Sequence, residues 1–217
     1  LHRGFESHPS RYIVGRHRKG RREVASCHWA PRRPDRECIV DGEVGDRAMP
    51  FEGVLQPETI VVDDGLRLRA YDGNHQVAYP WYQDDTVRRL SEGITDPAKR
   101  LDATWVAKKL SALDAHGELY FIEVVEDGAW VPIGDVTLQE NNPPIEIGVA
   151  RYRGIGIGTK VMKAILERAR RVGIKKIFNT GCYEDNYASQ RMLEKAGFVL
   201  VEHDREKRRK VFEIELD

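Results

Sequence analysis

No stretch of this sequence approaches the roughly 18 consecutive apolar residues that a membrane-spanning helix needs. The chain has no excess of either charge, because its 35 basic residues are matched by 35 acidic residues. A balanced charge gives no argument for an anionic membrane or for nucleic acid as a partner. We therefore expect neither of these partners, and we expect a monomer or a homodimer.

Cysteine is scarce as well, and the three cysteines stand at unrelated spacings, at positions 27, 38 and 182. An odd number of unevenly spaced cysteines indicates a reducing, cytoplasmic setting without a disulfide framework. The seven histidines form no pair with the spacing of metal ligands. We therefore expect no metal site.

Residues 1–56 lack apolar periodicity and are rich in arginine and proline, as in "RHRKGRRE" (residues 16–23). Such a composition buries too little apolar surface to offset its ordering entropy, which predicts a disordered basic extension. A nucleic-acid-binding arm is a second interpretation. A third is an over-long start, with the natural chain beginning at Met49, because "GFESHP" (residues 4–9) back-translates to DNA that resembles the T-arm of a transfer-RNA gene.

Residues 57–217 are predicted to form one domain. Their periodicity predicts a strand at "GLRLRAYD", two or three helices, three strands, a helix, a strand, a helix and two strands. Asp96 and Pro97 are expected to begin one helix as its N-cap and first residue, and Asp127 with Gly128 predicts a hairpin turn. This order indicates an α/β (α+β) fold with a mixed, mostly antiparallel central sheet flanked by helices.

A glycine-rich stretch, "RGIGIGTK" (residues 153–160), separates a predicted strand from a predicted helix. Helix N-termini leave backbone N–H groups unpaired, and glycines let an anion reach them, so phosphate binding is the functional interpretation. The spacing matches neither a P-loop nor a Rossmann turn. A flexible loop without a ligand is the alternative, although an amphipathic helix follows directly. The isoleucines between the glycines, Ile155 and Ile157, are expected to anchor the loop to the core.

Two motifs together resemble the GCN5-related N-acetyltransferase (GNAT) family. "RGIGIGTKVM" (residues 153–162) is similar to its pyrophosphate loop, R/Q-x-x-G-x-G/A, and "DNYASQRMLEKAGF" (residues 185–198) is similar to its N-x-x-[SA]-x-x-x-[YL]-x-x-x-GF segment. The second motif is similar to that of the family branch whose members acetylate the N-termini of ribosomal proteins, or aminoglycosides at the 6' position. The resemblance covers about residues 60–217 and leaves residues 1–56 without a counterpart.

The resemblance implies acetyl-CoA as cosubstrate and assigns residues to it. Backbone N–H groups would hold the pyrophosphate, and Asn186 would hydrogen-bond the pantetheine arm, with a plain helix N-cap as its alternative role. The strand before the loop would pair with the pantetheine amides through Ile147 and Val149. The residues that would contribute to the pyrophosphate site are Arg153, Gly154, Ile155, Gly156, Ile157, Gly158 and Thr159.

Acetyl transfer to an amine needs a base for the amine and an acid for the leaving thiolate. Glu146, on the strand before the loop, is the first candidate for the base, and its alternative role is a solvent-facing strand residue. Asp135 is the second, because an unpaired carboxylate in an apolar strand is costly. The family's usual acid is a tyrosine where Leu193 stands here, so Ser189 is the candidate acid and Tyr183 is a further one.

Acceptor recognition is assigned to "YPWYQDD" (residues 79–85), where Trp81, Tyr82, Asp84 and Asp85 combine aromatic faces with carboxylates. Helix packing and capping are their alternative roles. The expected function is acetyl transfer from acetyl-CoA to a primary amine of an aminoglycoside-like or polyamine-like molecule, by direct attack in a ternary complex. An N-terminal peptide acetyltransferase and a non-catalytic acyl-CoA-binding module are the alternatives.

Overall fold

A computed structural model of the chain describes residues 50–217. The interpretations of residues 1–49, including the basic extension and the start at Met49, lie outside these described residues. The segment that the sequence analysis assigned to the end of the extension is tied to the domain. Gln56 Nε2 donates a hydrogen bond to the Leu119 carbonyl at 2.9 Å, and Arg168 donates one to the Leu55 carbonyl at 2.8 Å.

Eight strands and four α-helices form the described domain. The strands are β1 (Thr59–Asp63), β2 (Leu66–Ala70), β3 (Glu118–Glu126), β4 (Ala129–Leu138), β5 (Ile145–Ile147), β6 (Lys176–Tyr183), β7 (Val199–Asp204) and β8 (Arg209–Glu215). The helices are α1 (Asp85–Leu90), α2 (Ala103–His116), α3 (Ile157–Arg171) and α4 (Tyr187–Ala196), and three short 3-10 helices span His75–Val77, Trp81–Gln83 and Ala150–Tyr152.

The strands form two antiparallel sheets, which confirms the predicted fold class. The first sheet has the order β1-β2-β3-β4-β5 and the second has the order β6-β8-β7. Asp127 and Gly128 form the turn between β3 and β4 with positive φ angles of 49° and 79°, as the sequence predicted. Alternation along β3 sends Tyr120 and Ile122 into one core with α3, and Leu119 and Phe121 into a second core with α2.

One local prediction was wrong in detail, and one strand was missed. The helix expected to begin at Asp96 begins at Ala103, because the Asp102 side chain accepts the Trp105 N–H and is its N-cap. Asp96 instead accepts the Ala98 N–H in a turn. Strand β1 was not predicted, since only Ile60 and Val62 of its residues face the core and the signal is short.

An opening separates the two sheets at β5 and β6. The segment before β5 meets β6 at one parallel bridge between Asn141 and Phe178, where the Asn142 N–H donates to the Phe178 carbonyl at 2.6 Å. Beyond that bridge, within the described residues, β5 pairs with β4 alone and β6 pairs with β8 alone. One edge of each strand therefore faces an opening that narrows towards Asn142.

Candidate active site

The glycine loop leads from the end of β5 into α3, and two of its glycines adopt a conformation that other residues avoid. Gly154 has φ 76° and Gly156, the N-cap of α3, has φ 95°. No heavy atom lies within 4 Å of where a Cβ would stand at either residue. The backbone here is therefore open on its outer side, and the glycines are needed for their left-handed φ angles.

Backbone N–H groups are unpaired along this loop. The Arg153 N–H donates to the Ala150 carbonyl and the Thr159 N–H donates to the Gly156 carbonyl, both at 3.1 Å. For the N–H groups of residues 154–158, the described part of the chain supplies no acceptor. Five successive donors at the start of a 15-residue helix form a concentrated positive potential that favours an anion.

The Arg153 side chain holds the loop in place. Its guanidinium donates to the carbonyl oxygens of Ile147 and Gly148 at 2.7 and 2.6 Å, and to the Asp84 carboxylate at 3.0 Å. The Asp84 carboxylate in turn accepts the first N–H groups of α1 as its N-cap. Arg153 therefore ties the end of β5 to the start of α1, and its charge is already paired.

The apolar residues around the loop differ in their environments. Ile157 packs against the core as expected, whereas Ile155 is 65% exposed, so the expectation that it anchors the loop was wrong. Val149 donates its N–H to the Ile133 carbonyl at 3.0 Å, and Ile147 lies opposite Gly134 of β4. In the described chain, the other edge of β5 has no partner strand, and the Ile147 carbonyl already accepts a hydrogen bond from Arg153.

Two carboxyl groups face each other across the neighbouring strands β4 and β5. Asp135 lies directly opposite Glu146 in the antiparallel register. The Asp135 side chain is fully enclosed and accepts a hydrogen bond of 3.0 Å from the Tyr82 hydroxyl. Glu146 is half-buried and accepts a hydrogen bond from the Ser91 hydroxyl. Asp135 is thus sealed inside the domain, and Glu146 is the member of the pair nearer to the opening.

Burial changes the acidity of both carboxyl groups. It raises the pKa of Glu146 to about 7 and that of Asp135 to about 6, because the charged forms lose solvation. The negative charge of Asp135 adds to the rise at Glu146, and the Ser91 hydrogen bond and the charges of Lys109 and Arg153 oppose it. A carboxyl group with a pKa near 7 exchanges protons readily at neutral pH.

Aromatic side chains and a lysine surround the pair of Asp135 and Glu146 on the side away from the opening. Tyr82 is fully buried, and burial raises the pKa of its hydroxyl, which keeps it protonated as a donor to Asp135. The Lys109 ammonium pairs with Glu92 and stands 4.7 Å from the Tyr82 ring centroid and 5.6 Å from that of Trp105. The pair is therefore shielded from water on this side.

The four residues predicted to bind the acceptor have structural roles here. Trp81 is buried against Phe121 with ring centroids 5.5 Å apart, and Tyr82 holds Asp135. Asp84 caps α1, and the exposed Asp85 pairs with Arg88. Their contact with an acceptor stays a prediction.

The second sheet brings two hydroxyl groups to the region where β6 leads into α4. Asn186 caps α4 by accepting the Ser189 N–H at 3.0 Å, so its capping role is present. Burial raises the pKa of the Cys182 thiol, and the neighbouring Ser189 side chain opposes this rise. Leu193 is fully buried in the core.

The other hydroxyl belongs to Tyr183, the last residue of β6. It accepts a hydrogen bond of 3.0 Å from Arg209, whose guanidinium carbon lies 4.5 Å from the Tyr183 ring centroid. A Cβ added at Gly93 would overlap this hydroxyl, so the backbone at Gly93 lies directly against it.

Sequence reasoning missed Ser91, Lys109, Gly93 and Arg209. Ser91 and Gly93 stand at the end of a short helix and carry an ordinary helix-stop pattern. Arg209 reaches Tyr183 only through the register of β6 with β8, which pairs these two residues. Among the residues that the structure describes, no helix is long and apolar enough to cross a membrane, and no cluster of histidine, cysteine and carboxylate side chains has the geometry of a metal site.

Comparison with known proteins agrees with the family resemblance. The family model described as an acetyltransferase (GNAT) domain matches residues 66–199, which is more than half of the chain. No curated protein matches the sequence.

Solved structures share the fold at low identity. The aminoglycoside acetyltransferase AAC(6')-Ib, in complex with coenzyme A, is 17% identical with a TM-score of 0.55, covering 69% of this chain and 94% of its own. The acetyl transferase from Salmonella typhimurium that modifies the N-terminal serine of ribosomal protein L7/L12 is 16% identical with a TM-score of 0.56, covering 74% and 100%. Spermidine N-acetyltransferase from Vibrio cholerae, in complex with CoA and spermine, is 16% identical with a TM-score of 0.56, covering 71% and 97%.

The raised pKa values predict how stability depends on pH. Both carboxyl groups bind protons more tightly in the folded chain, so the free energy of unfolding should fall as pH rises from about 4 through about 7. Glu146→Gln removes one of these charges. At pH 8 this variant should be more stable than the wild type by about 1–3 kcal/mol, and at pH 4 the two should be equal.

Urea denaturation at several pH values measures this difference. Glu140→Gln is the matched control, because Glu140 is exposed in the loop after β4 and should leave the profile unchanged. If the free energy of unfolding depended on pH in the same way in Glu146→Gln and in the wild type, this result would contradict the conclusion that the Glu146 carboxyl group is desolvated.

Proposed function

The chain belongs to the GNAT acetyltransferase family, and we propose that it transfers an acetyl group from acetyl-CoA to a primary amine of a small cationic molecule, an aminoglycoside or a polyamine. The observation that carries this proposal is the position of Glu146. Its carboxyl group, with a pKa of about 7, lies on the strand that borders the opening and leads directly into a loop of free N–H groups.

Acetyl-CoA would bind along the opening between β5 and β6. The N–H groups of residues 154–158 would hold its pyrophosphate, and the free edge of β5 would pair with its pantetheine amides. Arg153 would contribute by fixing the loop, since its guanidinium is already paired. The neighbouring AAC(6')-Ib and spermidine acetyltransferase structures, which hold coenzyme A, support this cosubstrate.

Glu146 is the proposed base. It accepts a proton from the acceptor ammonium, and the neutral amine nitrogen then attacks the thioester carbonyl carbon. The carbon–nitrogen bond forms, the carbon–sulfur bond breaks, and the thiolate leaves with the electron pair. The nitrogen then loses its second proton to give the neutral amide, and the thiolate takes up one proton to become the free thiol. Asp135 is less suited to this role, because it is enclosed and already bonded to Tyr82.

Two hydroxyl groups could supply the proton to the thiolate. The Tyr183 hydroxyl, at the end of β6, accepts a hydrogen bond from Arg209 and lies against the Gly93 backbone. Ser189 lies in the first turn of α4. We favour Tyr183, because Gly93 belongs to the same short segment as Ser91, which contacts Glu146.

One carboxyl group near the opening favours a cationic acceptor. Glu92 and Asp185 are each paired with a basic side chain, whereas Glu146 accepts only the neutral Ser91 hydroxyl. The spermidine acetyltransferase neighbour was solved with spermine, which agrees with a polyamine-like acceptor. A peptide N-terminus is the second candidate, and the Salmonella typhimurium neighbour, which modifies a ribosomal-protein N-terminus, supports it.

An amine panel tests the function directly. Free thiol released from acetyl-CoA should rise above the no-amine control with spermidine or an aminoglycoside, and less with a peptide that begins with serine. In the wild type, kcat/KM should increase with pH through about 7 as Glu146 loses its proton. Glu146→Gln should lower kcat/KM by about 10²- to 10⁴-fold.

The panel also separates the alternatives. Acetylation of the peptide alone would favour the N-terminal acetyltransferase. Tight binding of acetyl-CoA without turnover of any amine would instead indicate a binding module and contradict the proposed reaction.

The pyrophosphate loop can be tested with two matched glycine variants. Gly156→Ala and Gly173→Ala both place a side chain at a positive φ angle in open space, at opposite ends of α3. Each should lower stability by about 1–2 kcal/mol. Only Gly156→Ala should weaken acetyl-CoA binding, by about tenfold, because it distorts the N–H groups that face the anion.

Isothermal titration with acetyl-CoA measures both affinities. Equal affinity of the two folded variants would argue against the loop as the pyrophosphate site.

Replacing each candidate acid separates their roles. Tyr183→Phe should lower kcat by about 10- to 100-fold with little change in the acetyl-CoA affinity, since it removes only the hydroxyl. Ser189→Ala should have a smaller effect. The measurement is kcat for the best amine of the panel, and a larger loss in Ser189→Ala would assign the acid to Ser189.

A further inference from the structure

A three-residue turn, residues 91–93, follows the short helix α1. The Ser91 N–H donates to the Val87 carbonyl at 2.9 Å, and the Ile94 N–H donates to the Arg88 carbonyl at 2.8 Å. Gly93 has φ 66°, which lets the chain reverse between these two bonds. Ser91 and Gly93 are exposed, so the turn lies at the surface of the domain.

The 91–93 turn contacts both proposed catalytic groups. Its first residue, Ser91, donates a hydroxyl hydrogen bond to the Glu146 carboxylate of the first sheet. Its last residue, Gly93, lies against the Tyr183 hydroxyl of the second sheet. The turn therefore bridges the base and the favoured acid across the opening.

An acceptor amine needs the place that the turn occupies. Its nitrogen must donate a hydrogen bond to Glu146 before it attacks the thioester. In the free protein the Ser91 hydroxyl makes that bond, as a neutral donor in the position of the reacting group. Ser91 and the acceptor therefore compete for the same carboxylate, that of Glu146.

We propose that the 91–93 turn occupies the acceptor position in the free protein, that a primary amine displaces it by replacing the Ser91 hydroxyl on Glu146, and that residue 91 thereby determines which acceptors bind. This inference rests on the proposed function, since it uses Glu146 as the base. It adds a specificity-determining residue that lies outside the glycine loop and outside α4.

The contacts that hold the turn are of a kind that an acceptor can replace. They are the Ser91 bond to Glu146 and the ion pair of Glu92 with Lys109, together with the exposed pair of Arg89 with Asp185 just before the turn. The exposed pair of Arg89 with Asp185 stabilises by only about 0–1 kcal/mol, whereas the pair of Glu92 with Lys109 is largely buried.

The chain on either side is held more firmly. Arg88 is buried and donates to the Lys99 carbonyl at 2.6 Å, and Ile94 packs against the second core. Movement is therefore confined to residues 91–93, with Gly93 as the hinge.

The surroundings of Glu146 favour a cation as the displacing group. It faces Asp135 from β4, Tyr82 from the 3-10 helix, Lys109 from α2 and Arg153 from the loop. Arg153 stays engaged by Asp84, whereas Lys109 loses Glu92 when the turn withdraws. An ammonium group gains a charge-assisted hydrogen bond to Glu146 that the neutral Ser91 hydroxyl cannot make, whereas an alcohol gains no more than Ser91 already provides.

The test compares Ser91→Ala with Ser91→Thr, which keeps the hydroxyl. Ser91→Ala should lower KM for the acceptor by about three- to tenfold, the equivalent of one net hydrogen bond. The pH profile of kcat/KM, which reports the free enzyme, should shift to higher pH because the bond favours the charged carboxylate. The profile of kcat, which reports the complex, should stay unchanged, and Ser91→Thr should resemble the wild type.

Ser111→Ala is the control, because Ser111 is an exposed residue of α2 away from the opening, and its kinetics should equal those of the wild type. A raised acceptor KM in Ser91→Ala, or equal shifts of both pH profiles, would show that Ser91 stays on Glu146 during the reaction and would overturn the proposal. Unchanged constants and profiles would overturn it too.

Hydrogen exchange separates this inference from the proposed function. In the CoA-bound protein, the amides of Ser91 and Glu92 should exchange faster when an amine of the panel is added, since their bonds to the Val87 carbonyl loosen as the turn withdraws. No change with any amine would overturn the inference. Faster exchange without acetyl transfer to any amine would overturn only the proposed function.

Discussion

The buried pair of carboxyl groups on β4 and β5 is the constraint on which the rest of the site depends. Asp135 and Glu146 lie opposite each other, and burial disfavours the charge on both. A buried carboxylate needs a hydrogen-bond donor. Tyr82, in the segment before α1, donates a hydrogen bond to Asp135, and Ser91, in the segment after α1, donates one to Glu146. The segments before and after α1 are thus both held by hydrogen bonds to carboxyl groups on the two strands.

Arg153 extends this constraint to the glycine loop. Its guanidinium bonds the carbonyls that end β5 and the carboxylate that caps α1, so the strand, the loop and the helix are held as one unit. A change in the position of α1 would therefore act on the loop that precedes α3 as well as on Ser91. The proposed base, the N–H groups of the glycine loop and the 91–93 turn are linked through three hydrogen bonds of a single side chain.

Much of this arrangement could be predicted from local patterns, and the remainder depends on long-range contacts. The hairpin at Asp127, the loop at Gly156 and the cap at Asn186 follow from residue types at fixed spacings, and the structure has each of them. Tyr82 was assigned to acceptor recognition because aromatic faces and carboxylates are combined in residues 79–85. Its burial depends on Asp135, which is 53 residues away, and no local periodicity carries that information.

Leu193 shows why the proton donor in this chain should come from β6. Leu193 belongs to the fully buried core between α4 and the sheets, so that part of α4 supplies apolar packing and no hydroxyl group. The hydroxyl groups of α4 are those of Tyr187 and Ser189, both in its first turn. Tyr183 ends β6, and the register with β8 places Arg209 beside it. The strand pairing thus supplies an aromatic hydroxyl with a cationic partner, on the side of the opening that faces Glu146 across the 91–93 turn.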